Sequence, residues 1–121
     1  MPRKIPAILA TSLFATLLTA GMASAHAHLE TAMPADGAKL TAAPNSISIT
    51  LTENIEPAFS HLTLTAASGD LVPLTNEKAD GKALSAMPSS TLSPGAYTVE
   101  WQILSVDGHK TSGSFGFTVE P

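Results

Sequence analysis

Apolar and polar residues alternate in short runs along most of this chain, and turn-forming residues separate the runs. Period-two alternation places successive side chains on opposite faces of a strand, so the pattern predicts strands buried on one face and solvated on the other. Ile47, Ile49 and Leu51 alternate with Ser46, Ser48, Thr50 and Thr52, and Leu62 and Leu64 repeat the pattern after Pro57. Ser68-Gly69-Asp70 reads as a turn into Leu71 to Leu74, Asn76 to Gly81 as a polar loop, and a weaker strand is centred near Leu84. Ser93-Pro94-Gly95 is a second turn. It leads into Tyr97, Val99, Trp101 and Ile103, the clearest alternating run and the predicted central strand. Beyond Ile103 the apolar phase passes to Leu104 and Val106, which predicts a bulge or a change of sheet just before Asp107-Gly108-His109. Phe115, Phe117 and Val119 restore the alternation in a last strand. No run carries a helical period. Six or seven short strands at spacings of roughly ten residues predict an all-β, immunoglobulin-like Greek-key sandwich or small barrel of about seven strands.

The first 25 residues break this pattern and carry the marks of a secretory signal. Arg3 and Lys4 form a basic start, Ile8 to Leu18 an apolar stretch too short for a comfortable membrane span, and Ala23-Ser24-Ala25 a small-x-small cleavage pattern. The alternative is an uncleaved anchor. Cleavage after Ala25 leaves one compact domain, residues 26–121, that begins His26-Ala27-His28-Leu29, is exported and is not membrane-embedded.

Loss of Arg3 and Lys4 leaves four lysines against ten acidic residues, a formal charge of −6. That balance argues against nucleic acid as a partner, because phosphate binding needs a basic surface. The chain has no cysteine. Packing alone must stabilise it, and any metal must be held by His, carboxylate, Met or the chain's own amine.

The new N-terminus is the most informative point for chemistry. Cleavage puts a free amine and an imidazole on one residue, His26, and both lose their protons readily to a strongly bound cation at neutral pH. Two nitrogens on one residue favour Cu(II) in tetragonal geometry, and Asp107 and His109 can fill the remaining in-plane positions. In an extended segment residues two apart point the same way, with Cα atoms roughly 6.5 to 7 Å apart, so this pair can converge while Gly108 relaxes the backbone. Asp-Gly-His is equally the composition of a turn. Zn(II) at the same ligands stays open, although an amine-plus-imidazole plane favours Cu(II).

Other candidates carry two readings each. His28 can bind Cu(II) together with the amine and two deprotonated amides, or it serves as a structural or supporting residue if Leu29 begins a strand. Glu53, at the end of the Ile47 to Thr52 strand, either approaches the ion and its imidazoles or is simply solvated. His61 falls on a polar phase and reads as a surface residue. Met33 and Met87 are far apart, each before a proline, and read as gap fillers in loops or core, not as a Cu(I) site.

At the level of whole motifs the mature chain resembles the CopC-type periplasmic copper-binding proteins. The resemblance is carried by His26-Ala27-His28-Leu29, by Met33-Pro34-Ala35-Asp36-Gly37-Ala38 and by Ile49-Thr50-Leu51-Thr52-Glu53. It continues through Pro94-Gly95-Ala96-Tyr97-Thr98-Val99-Glu100-Trp101, Ser105-Val106-Asp107-Gly108-His109 and Ser112-Gly113-Ser114-Phe115. It implies a seven-stranded Greek-key sandwich, a periplasmic location and one Cu(II) per chain held by His26 with its amine, Asp107 and His109. It also implies a role in copper homeostasis or resistance, with delivery to an inner-membrane transporter of the CopD type. Two features depart from the family. The methionine-rich Cu(I) loop of some members has no counterpart, and Lys110 stands where the family often has Pro.

Three functions compete on these residues. A carrier or buffer without turnover fits a ligand set that fills most of a tetragonal plane with no acid, base or nucleophile beside it. An oxidase or monooxygenase-like enzyme shares the N-terminal histidine, but Asp107 would occupy a plane position that oxygen chemistry needs open. The sandwich alone would also permit a metal-free immunoglobulin-like interaction module.

Overall fold

The computed structural model describes residues 27–121, which form two facing sheets. In chain order the strands are β1 (Leu29–Met33), β2 (Ala38–Leu40), β3 (Ile47–Leu51), β4 (His61–Ala66), β5 (Leu71–Val72), β6 (Leu74–Asp80), β7 (Ala83–Pro88), β8 (Gly95–Leu104) and β9 (Lys110–Val119). One sheet runs β1-β3-β7-β6 and the other β2-β9-β8-β4-β5. All pairs are antiparallel except β2 with β9. The chain changes sheet between β1 and β2, β2 and β3, β3 and β4, β5 and β6, and β7 and β8, the crossed connectivity of a Greek-key sandwich. A single 3-10 turn, Pro57–Phe59, precedes β4.

The core lies where the alternation predicts it. Ile47, Ile49 and Leu51 face Leu62 and Leu64, with Leu84, Val99, Trp101, Ile103, Phe115, Phe117 and Val119 completing one buried cluster. Each such side chain contributes roughly 1.5–3 kcal/mol of transfer free energy, the main source of cohesion in a chain without disulfides. Trp101 lies against its cross-strand partner Gly113, where a Cβ would come within 2.6 Å of the indole. Only glycine leaves room there. Tyr97 stacks on Phe117 at 5.5 Å and donates its hydroxyl to the Ser93 carbonyl at 2.7 Å, closing the turn before β8.

Four expectations change. The polar stretch Asn76 to Gly81 is strand as far as Asp80, because β6 is an edge whose backbone pairs with β7 while its side chains face water. A register shift between Thr75 and Lys78, with Asn76 at φ +55°, marks the irregularity that hid the pattern. The predicted bulge near Ile103 is absent: β8 and β9 pair in unbroken register from Gly95 with Val119 to Leu104 with Lys110. The inward phase continues through Trp101 and Ile103 to Ser105, and Val106 is exposed. Nine strands replace about seven because β2 and β5 are pairings of three and two residues, too short to show a period. Met33 and Met87 are solvent-exposed, so neither fills the core.

Candidate metal centre

Residues 105–109 form the tight connection between β8 and β9. Ser105 is fully buried and bridges to Ile55, and its carbonyl accepts the Gly108 N–H at 2.9 Å to close a turn. Gly108 has φ +93°, a left-handed conformation that strains any residue with a Cβ, so the glycine between the two candidate ligands is required by the backbone. The segment is therefore a turn, as the Asp-Gly composition suggested, and not an extended stretch. The two side chains still meet: His109 Nδ1 stands 3.2 Å from Asp107 Oδ1.

Ser105 accounts for this meeting. Its hydroxyl donates to Asp107 Oδ1 and lies 3.3 Å from the His109 N–H, while its own N–H donates to the His109 carbonyl at 2.9 Å. The Ser105 hydroxyl, and after it the His109 ring, hold the Asp107 carboxyl below the usual carboxylate range. Asp107 is thus an anion over the range in which imidazoles titrate. A spacing of 3.2 Å is one that a single ion can share: two bonds of about 2.0–2.1 Å at right angles put their donor atoms just under 3 Å apart.

The start of the described chain lies at this same end of the sandwich. Leu29 pairs with Leu51, the His28 N–H donates to Thr52 Oγ1 at 2.9 Å, and the His28 carbonyl accepts the Thr52 N–H at 2.9 Å. Two residues on, the Asn54 carbonyl accepts the Val106 N–H at 3.0 Å, and the Glu56 N–H donates to Leu104 at 2.8 Å. The 52–56 segment thus ties His28 to the Asp107-His109 corner. Glu53, half-buried, sits within that segment.

Not every candidate converges. His26 lies outside the described residues, as does the whole segment 1–25. His28 has its amide engaged by Thr52, which opposes the binding mode that needs that amide deprotonated. His61 is exposed as expected, but it is paired with Glu77 at 2.8 Å, a residue the sequence did not point to because it comes from the facing sheet. His61 and Lys110 line an open groove of about 370 Å³ with Phe59, Gln102 and Thr111. Among the described residues no three His, Asp or Glu side chains are gathered closely enough to hold an ion. The corner supplies two donors and needs others. Ser105 was missed, though its position on the buried phase directly after Trp101 and Ile103 is a readable signal.

Comparison with known proteins agrees with the two-sheet fold. A family model for the CopC domain matches residues 29–120. The chain is 37% identical over 114 residues to protein YobA of Escherichia coli strain K12, covering 92% of each chain. It is 36% identical over 120 residues to copper resistance protein C of Pseudomonas syringae pv. tomato, covering 88% of this chain and 94% of that one. Among solved structures, PcoC, a methionine-rich copper resistance protein from Escherichia coli, superposes with a TM-score of 0.70 at 30% identity, covering 78% of this chain and 99% of that one. Among the described residues no helix is long and apolar enough to cross a membrane.

Proposed function

The chain belongs to the CopC domain family, and from that premise we propose that it is a periplasmic carrier or buffer of Cu(II) that binds one ion per mature chain. The ligands are the amine and imidazole of His26, the Asp107 carboxylate and the His109 imidazole. The observation that carries this is the shared end of the sandwich: His28 is bonded to Thr52, and the segment that follows Thr52 is bonded to the Asp107-His109 corner. Two residues of chain reach at most about 7 Å, and this short reach from His28 supports His26 as a ligand of the corner. Amine and imidazole nitrogens with a carboxylate suit the tetragonal preference of Cu(II), and Cu(II) stands above Zn(II) in the divalent-metal order. His28 and Glu53 are auxiliary groups beside the site.

Residues 1–25 act as the export signal, and the domain is residues 26–121. Copper is cargo here. A carboxylate in the ligand plane leaves little room for oxygen chemistry, so the protein is a binding protein and not an enzyme. Its role is in copper homeostasis or resistance, or in delivery of copper to an inner-membrane transporter of the CopD type, and the relatives named for copper resistance support the first of these.

The deciding experiment titrates Cu(II) into the domain beginning at His26 and into the same domain carrying an extra N-terminal Met. The extension removes the amine-imidazole chelate and weakens binding by orders of magnitude, at about 1.4 kcal/mol per tenfold. Equal affinity would remove the amine from the site. A melting temperature indifferent to copper would instead make this a metal-free interaction module.

A further inference from the structure

Among the described residues two polar side chains are fully buried, Ser60 and Ser105, and both grip the end of β8 that leads into the copper corner. Burying a hydroxyl is costly unless its hydrogen bonds are made. Ser60 Oγ accepts the Leu104 N–H at 3.2 Å and anchors the strand before the loop. Ser105 goes further. Its hydroxyl donates to the Asp107 carboxylate and lies in reach of the His109 N–H, and its backbone N–H and carbonyl bond His109 and Gly108. Every polar group of this buried residue is spent inside the loop that carries the two ligands.

Resting on the copper reading above, we propose that Ser105 is the positioning residue of the site: its hydroxyl holds the Asp107 carboxylate and the His109 backbone in copper-binding register before the ion arrives. Asp107 and His109 are both about half exposed, with side chains at 45% and 44%. Exposed side chains of this kind sample several rotamers, and fixing them on binding costs free energy that a preformed network avoids. Groups that orient metal ligands typically change affinity by about 10- to 100-fold when removed.

The test compares Ser105→Ala, Ser105→Thr and Ser60→Ala in the domain beginning at His26. Cu(II) affinity is read by competition titration, ligand geometry by the Cu(II) EPR spectrum, and folding by the melting temperature of the copper-free protein. Ser105→Ala weakens Cu(II) by about 10- to 100-fold and alters the EPR spectrum. Ser105→Thr keeps the hydroxyl and restores most of the affinity. Ser60→Ala lowers the melting temperature while leaving the EPR spectrum unchanged. If Ser105→Ala binds Cu(II) as the parent does, or if Ser60→Ala shifts the spectrum equally, Ser105 is a structural residue and the positioning role is overturned. Failure of the parent domain to bind Cu(II) at all is a separate result that removes the copper reading itself.

Discussion

The molecule holds two histidine-carboxylate pairs of similar outward form, and only one is proposed as a metal corner. His109 Nδ1 lies 3.2 Å from Asp107, and His61 Nδ1 lies 2.8 Å from Glu77. All four side chains are partly exposed. The difference is in what stands behind each pair. Asp107 and His109 share one five-residue loop, backed by the buried Ser105 and turned by Gly108. His61 and Glu77 come from different sheets, and the second oxygen of Glu77 is taken by the Leu62 N–H at 3.0 Å. That carboxylate is a strap between sheets, with both oxygens used. A contact between a ring and a carboxylate is therefore weak evidence for a site, and the supporting shell and nearness to the start of β1 favour the proposal for Asp107 and His109.

The largest separation of the two pairs should come from removing each imidazole. His109→Ala is expected to weaken Cu(II) by about 100-fold or more, roughly 2.8 kcal/mol at 1.4 kcal/mol per tenfold, and to remove one nitrogen from the EPR pattern. His61→Ala should leave both affinity and spectrum unchanged, and a nitrogen lost from its spectrum would reverse the assignment of the two pairs.

The backbone of the corner comes next. Gly108→Ala meets no atom within 4 Å, so its cost is conformational, arising from φ +93°. That cost is about 1–2 kcal/mol for a residue with a Cβ, read as a lower denaturant midpoint in the copper-free protein. A midpoint equal to the parent would show that the loop relaxes into another turn.

Breaking the strap is worth less. Glu77→Gln should lower stability by no more than about 1 kcal/mol, the usual range for an exposed ion pair, with copper binding unaffected. A large loss of Cu(II) affinity would couple the strap to the corner.

The smallest effect is on pH dependence. The folded Asp107 carboxyl titrates below its ordinary range, so its stabilising contribution is fully present above that range and is lost as pH falls through the depressed folded value. NMR of the Asp107 carboxyl carbon should show this low titration, and Ser105→Ala should move it upward. An unmoved titration in that variant would mean that His109 and not Ser105 supplies the main effect.

Much of the fold was legible in advance. Ile47, Ile49, Leu51, Val99, Trp101, Phe115 and Phe117 are buried as their alternation predicts, because period-two patterning and one-sided burial are the same constraint. Edge segments were not legible. β6 carries the polar run Asn76, Glu77 and Lys78, and a strand held by backbone bonds at the rim of a sheet needs no apolar code. The close packing of Gly113 on Trp101 was likewise silent, since a missing Cβ is informative only beside its neighbour.

By itself the sequence determined the residue types available for chemistry: no thiol, His26 and His28 just before the first strand, and an Asp-Gly-His loop between the two longest strands. These follow from local composition and patterning, which act over a few residues. The tertiary structure alone decided that the loop and the chain start share one end, that Glu77 rather than a metal site claims His61, and that Ser105 sits under Asp107. Those depend on register and sheet order. Such contacts join residues tens of positions apart, and only the packed core determines which of them meet.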